Sequence, residues 1–231
     1  MIAAFASMVS HQTRTSLVGI QGLSELIRDG DLSPGEIRAY ATDIFNEALK
    51  IDEMIGEMLN LSRLETGESS FNRARVDLNR VVEEAAAMAP ERTANLGLVF
   101  ESCAAPAMVL GDRDRLRQAM QKVIAFVARA AQPGSVVTVT TAPTADRVVV
   151  TIRASSSKVV EFEDWLYGRY ERYEQRPSAI FGAGLGLAIA RSIVELHGGE
   201  ISAGPGSEGG AEFRLTLPVP AAPAEATTHR S

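Results

Sequence analysis

Asp29-Gly30-Asp31-Leu32-Ser33-Pro34-Gly35 parts two long stretches of helical periodicity, and its reading decides the N-terminal fold. Glycine ends one helix, Ser33 supplies the N-cap of the next, and Pro34 suits its first turn. Upstream, over residues 2–29, Ile2, Ala6, Val9, Thr13, Ser16, Ile20, Leu23 and Ile27 form one stripe. Downstream, over residues 35–65, Ile37, Ile44, Ile51 and Met58 recur every seven residues, with Ala41, Ala48 and Ile55 four places after the first three. Such stripes are coiled-coil-like and predict a helical hairpin. Two helices cannot enclose a core alone, so pairing of two hairpins into a four-helix bundle is expected, which makes the chain a homodimer.

After Leu64-Glu65-Thr66-Gly67-Glu68-Ser69-Ser70 the pattern changes. Helical signals at 77–95, 112–131 and 184–197 interleave with β-rich runs at Leu98–Cys103, Val136–Thr141, Val148–Arg153, Glu200–Ala203 and Ala211–Leu217. That mixture predicts a layered domain of sheet and helices. Residues 155–181 read as a long loop, and the Pro/Ala-rich tail after Pro218 as disordered. The expected division is therefore 1–66, 67–218 and a tail at 219–231. Charge supports it: residues 1–66 carry 5 basic and 10 acidic side chains, the remainder 18 and 19.

A net charge of −6 over 231 residues offers no basic footprint for nucleic acid. The single cysteine, Cys103, excludes an intrachain disulfide and a Cys-rich metal site; it reads as a small buried hydrophobe near a strand end. No apolar run is long enough to span a membrane. Met1-Ile2-Ala3-Ala4-Phe5-Ala6 lacks a basic flank and meets His11-Gln12-Thr13-Arg14 too early for a signal peptide. A cytoplasmic location is expected.

The first chemical candidate is His11. At about 100° per residue, the apolar stripe of its helix centres about 170° away, so the imidazole should face solvent midway along a bundle helix. A neutral imidazole is a good nucleophile near neutral pH, and exposure admits large partners. Phe5-Ala6-Ser7-Met8-Val9-Ser10-His11-Gln12-Thr13-Arg14-Thr15-Ser16-Leu17 resembles the H box of two-component sensor histidine kinases. In that family an exposed histidine on a dimeric hairpin accepts a phosphoryl group.

The second candidate is Gly182-Ala183-Gly184-Leu185-Gly186-Leu187-Ala188-Ile189-Ala190-Arg191. Glycines spaced by two at a helix start let backbone N–H groups approach phosphates. The run, continuing through Ser192-Ile193-Val194-Glu195-Leu196-His197-Gly198-Gly199-Glu200-Ile201, resembles the G2 box of the same family's ATP-binding domain. Asp112-Arg113-Asp114-Arg115-Leu116-Arg117-Gln118 resembles the opening of its N-box helix, and Leu59-Asn60-Leu61-Ser62-Arg63-Leu64-Glu65 the exit from its hairpin. His197, before two glycines, reads as a helix-end residue. The resemblance runs from residue 1 to about 218 and implies an α+β architecture. A dimerising hairpin is followed by an α/β-sandwich ATP-binding domain, with ATP and Mg²⁺ as the family's cofactors and a response-regulator receiver domain as partner.

Departures from the family bear on function. The N box should carry two asparagines four residues apart, the second holding Mg²⁺; those places hold Lys122 and Phe126, and residues 119–131 contain no Asn, Asp or Glu. A phenyl ring offers a hard cation no oxygen. Arg129 keeps the basic position that follows and could meet an anion. The G1 box should follow Val148–Arg153, yet its adenine-binding aspartate is Ala154 and both its glycines are gone. Losing these contacts costs about 4–5 kcal/mol, or about 10³-fold in productive ATP use. In the H box, Gln12 replaces the acidic residue after the histidine and cannot act as a base. Ser16 stands where the family has a kinking proline, while Thr15 is retained, at the position that orients a hydrolytic water.

The leading expectation is a phosphorelay protein that carries phosphate on His11, exchanges it with receiver aspartates, and has a degenerate ATP site held in part by Arg129, Gly182, Gly184 and Gly186. The alternatives are an active ATP-dependent sensor histidine kinase, and a non-enzymatic module that binds response regulators or an active kinase.

Overall fold

Ser33 and Glu36 cap each other at the start of the second helix. The Ser33 N–H donates to Glu36 Oε2 (2.8 Å), and the Glu36 N–H donates to Ser33 Oγ (3.3 Å), a reciprocal arrangement that satisfies orphan donors of the first turn. In this computed structural model, which describes residues 2–66, 71–88, 96–155, 178–206 and 210–220, helix α1 spans Ile2–Asp29 and α2 spans Pro34–Thr66. They pack together as the predicted hairpin. On α1 the stripe holds among the described side chains: Ser16 is buried and Val9, Thr13, Ile20, Leu23 and Ile27 are half-buried, while the side chains of Ile2 and Ala6 lie outside the described part. On α2 the stripe is split. Ile44 and Ile51 are half-buried, whereas Ile37, Ala41, Ala48, Ile55 and Met58 are exposed, beside exposed Phe45 and Leu59. One hairpin covers one flank of its own stripe and leaves the other bare.

Downstream come β1 (Ala74–Asp77), α3 (Leu78–Ala87), β2 (Gly97–Glu101), β3 (Met108–Gly111), α4 (Arg113–Ala130), β4 (Val136–Pro143), β5 (Arg147–Ala154), α5 (Ser178–Leu196), β6 (Glu200–Pro205) and β7 (Ala211–Pro218). Five strands form a mixed sheet in the order β2-β4-β5-β7-β6, with β2 and β4 parallel and the other pairs antiparallel. Strands β1 and β3 make a separate antiparallel pair. Alternation along β7 sends Ala211, Phe213, Leu215 and Leu217 inward against α4 and α5. Leu61 and Leu64, from the last turns of α2, are buried in the same core, each contributing about 1.5–3 kcal/mol. The hairpin is thereby rooted in the sandwich.

Asp77 caps α3 and Asp112 caps α4, the latter accepting from the N–H groups of Asp114 and Arg115 (both 3.1 Å). Helix α5 ends in a left-handed Gly198 (φ 73°), with the Gly199 N–H bonded to Val194 O (2.9 Å). His197 follows that helix end as expected, and is buried. Its Nδ1 meets Ile193 O (2.7 Å), its Nε2 accepts from the Asp112 N–H (2.9 Å), and its ring lies against Phe71. One imidazole thus ties the end of α5 to the start of α4.

Three sequence expectations shift. The 77–95 helix stops at Ala87, and α5 begins at Ser178, inside the expected 155–181 loop, whose residues 156–177 lie outside the described part. The tail does not begin at Pro218: Val219 donates to Asp146 O (2.9 Å) and packs on the core, while residues 221–231 lie outside the described part. Cys103 stands two residues beyond β2, half-buried, with Sγ donating to Ala105 O (2.9 Å). Among the described residues no helix is long and apolar enough to cross a membrane.

Candidate functional site

Helix α1 presents the H-box-like segment. Thr15 is exposed; the side chains of His11 and Gln12, with the expected solvent-facing imidazole, lie outside the described residues. Ser16, where the resemblance expects a proline, turns its hydroxyl inward to the Glu47 carboxylate of α2, which also pairs with Lys50. The Lys50 ammonium holds the Glu47 carboxyl below the usual carboxylate range, burial opposes this, and Ser16 adds to it. Glu47 is a residue that sequence reasoning passed over, because its partner on α1 is not a local neighbour.

The glycine run is not where its motif suggests. Gly182, Gly184 and Gly186 fall inside α5 rather than at its start. A helix frees only the N–H groups of its first turn, and here that turn begins at Ser178, four residues ahead of Gly182. Gly186 instead lies against α4: a Cβ there would stand 3.2 Å from Lys122 Cδ. Lys122 runs past Gly186 and ends in an ion pair with Glu57 of α2.

Phe126, one turn further along α4, is fully buried, its ring edge-on to Phe213 of β7 at 5.6 Å between centroids. Arg129 is exposed near the end of α4, two turns from Lys122. Ala154 ends β5, buried between Val137 and Ala211 in the sheet register. The Gly210 backbone (φ 76°) closes over it so tightly that a Cβ would come 2.1 Å from Ala154 O. The structure therefore brings Lys122, Gly186 and the hairpin together, and seals Phe126 and Ala154 into apolar surroundings. Among the described residues, no three His, Cys, Asp or Glu side chains group as a metal cluster.

Residues 1–67 match the His Kinase A (phospho-acceptor) domain, and residues 111–221 the Histidine kinase-, DNA gyrase B-, and HSP90-like ATPase. Among curated relatives, the Sensor histidine kinase TrcS of Mycobacterium tuberculosis is 34% identical over 227 residues, which cover 93% of this chain and 43% of that protein. The Signal transduction histidine-protein kinase BaeS of Escherichia coli is 30% identical over 222 residues, covering 93% and 46%. The chain thus spans less than half the length of these relatives. Among solved structures, the Acinetobacter baumannii histidine kinase AdeS superposes with a TM-score of 0.71 at 20% identity, over 90% of this chain and 98% of that one. Histidine kinase ThkA, in complex with response regulator protein TrrA, gives a TM-score of 0.71 at 22% identity, over 92% and 60%. The hairpin, the sandwich and both matched domains stand in one chain and one order, and the protein belongs to the two-component sensor histidine kinase family.

Proposed function

We propose that this chain is a dimeric phosphotransfer protein that carries a phosphoryl group on His11, exchanges it with the aspartate of a response-regulator receiver domain, and makes little or no use of ATP. Residues 1–66 act as the dimerising hairpin and 67–218 as a degenerate ATPase-like domain. The observation that carries the reading is Phe126. At the place where the family holds Mg²⁺, the structure has a ring buried to 2% exposure and packed on Phe213. The residues present do not fit a Mg²⁺·ATP pair: α4 offers no oxygen there, Ala154 has no acceptor for an adenine amino group, and the glycine N–H groups lie within a helix.

Receiver-dependent transfer needs none of these groups. The neutral His11 imidazole attacks the phosphorus of a receiver's aspartyl phosphate, a P–N bond forms as the P–O bond breaks, and the carboxylate leaves. The receiver supplies its own acidic pocket and metal, so Gln12 need not act as a base. Thr15, exposed on the same helix, orients a water for hydrolysis of the receiver's phosphate. The exposed flank of α2 is the surface that a second hairpin covers.

The test pairs the chain with phosphorylated receivers and follows acid-labile phosphate. His11→Ala abolishes uptake, and Thr15→Ala slows receiver dephosphorylation while leaving uptake nearly intact. The family match favours a second reading, an ATP-dependent autokinase. A low-micromolar Mg·ATP dissociation constant by calorimetry, with phosphate from ATP reaching His11, would establish that reading instead.

A further inference from the structure

Glu84 and Met88, one turn apart at the end of α3, meet Arg113, Arg117 and Gln121 of α4, and the contacts form two rungs between the helices. In the first rung the Arg113 guanidinium pairs with the Glu84 carboxylate. In the second, Arg117 Nη1 and Gln121 Nε2 both donate to Met88 Sδ, at 3.4 and 3.3 Å. Arg117 is steadied by its other terminal nitrogen, Nη2, which pairs with Asp114 (3.1 Å). The Met88 backbone is fixed as well, because its N–H donates to Glu84 O (3.1 Å) and closes α3. Two donors, one of them charged, thus converge on a thioether, which is a weak acceptor. The residue is also open to solvent. Met88 is 61% exposed, against 37% for Met58 and 0% for Met120, while Met54 and Met108 are half-buried.

We infer that Met88 is a modification site, oxidised by a hydroperoxide to the sulfoxide, and that Arg117 and Gln121 receive the new oxygen and so tighten α3 on α4. In the reaction the sulfur lone pair attacks one peroxide oxygen and the O–O bond breaks. The departing hydroxide takes the proton from the transferred oxygen and leaves as water. The sulfur loses two electrons and the peroxide gains them. A sulfoxide is a polar group with a strong acceptor oxygen, and a charged donor strengthens the bond it accepts. The second rung then comes to match the first, in which an oxygen already meets a guanidinium. A buried methionine responds the other way, since a polar sulfoxide disrupts apolar packing. Met88 reverses that sign because its polar partners stand beside the sulfur before the oxygen arrives. The site uses none of the residues assigned to phosphate transfer.

Graded hydrogen peroxide on the full chain, followed by peptide mass spectrometry and thermal melts, tests it. Of Met54, Met58, Met88, Met108 and Met120, Met88 should take up one oxygen first. The oxidised chain should then melt about 2–4 °C higher, the shift that one added hydrogen bond makes in a chain of this size. Met88→Leu, treated alike, should show no rise, which removes any contribution from other methionines. Reduction by a methionine sulfoxide reductase should return the native melt. In the double variant Arg117→Ala with Gln121→Ala, oxidation of Met88 should no longer raise the melting temperature. Circular dichroism reports whether that variant folds, and Gln121→Ala alone, which should about halve the rise, decides the matter if it does not. Earlier oxidation of another of the five methionines overturns the proposal. So does a native chain whose melting temperature falls on Met88 oxidation, or a rise that survives loss of the two donors.

Discussion

Phe126→Asn puts on α4 the residue type that the resemblance expects there, and on the proposed reading it does not restore nucleotide binding. The ring is 2% exposed and stacked edge-on to Phe213 at 5.6 Å. Truncating a buried phenylalanine costs about 3–5 kcal/mol for the lost transfer and the cavity. The edge-on pair adds about 0.5–1.5 kcal/mol, and a buried amide without partners costs about 1–3 kcal/mol more. Relaxation of the neighbours recovers part of this, which leaves a net loss of about 4 kcal/mol. For a chain of this size that lowers the melting temperature by about 8–16 °C. Phe126→Leu, which keeps most of the apolar contact, should lose about 1.5 kcal/mol or less. Thermal and urea melts of the native chain and the two variants, followed by Mg·ATP calorimetry, provide the measurement. If Phe126→Asn melts within about 2 °C of the native chain, or if it gains micromolar Mg·ATP binding, the ring is not a core residue and the argument against nucleotide use fails.

Ile55 is exposed on the bare flank of α2, so on the proposed dimeric reading Ile55→Glu should leave a 24.7 kDa species by light scattering with helicity unchanged, because a charge would otherwise be buried in the proposed seam. Ile44→Glu, at a half-buried position of α2, should lower helicity as well; a native chain that is already monomeric refutes both expectations. Burial pushes the His197 imidazole below its ordinary 6.5, with Arg73 acting the same way against the opposing Ile193 carbonyl and Asp112 carboxylate. The unfolded chain then binds a proton that the folded chain refuses, so the stability from this group is complete above about pH 6.5 and falls as pH drops below it. Urea midpoints between pH 7.5 and 5.5 should show that fall, and His197→Gln should flatten it.

The hairpin was legible because its signals are local. Ser33, Pro34 and Glu36 lie within one turn, and the structure places the helices within a residue of the sequence reading. The five strands of the main sheet carry alternation over five to eight residues, long enough to see. Strands β1 and β3, four residues each, are too short to show a period, and their register joins Ala74 to Gly111 across the chain. The candidate site divided the same way. Phe126 and Ala154 stand in the sequence as apolar residues where the resemblance expects polar ones, and both are buried in the structure. What no spacing rule could supply was the partner of each substituted side chain: Glu47 for Ser16 and Glu57 for Lys122 both lie on another helix. The glycine run was misplaced because the sequence reading put the helix start at the glycines, whereas the helix begins at Ser178, itself a residue type suited to a helix start.

The placement of those glycines inside α5 gives the helix two unequal halves. Each interior glycine disfavours the helical state by about 0.8–1.0 kcal/mol relative to alanine, so Gly182, Gly184 and Gly186 together bring the first half close to helix–coil balance. The second half is held by Ile189, Ile193 and Val194, all fully buried, and by the cap at Gly198. Amide protons should accordingly exchange with solvent in a gradient along one continuous helix, fastest ahead of the buried Leu185 and Leu187 and slowest from Ile189 onward. On heating or in mild denaturant the helix should therefore fray from its N-terminal end first, while its C-terminal half, with His197 and the start of α4 tied to it, stays as a wall of the sandwich.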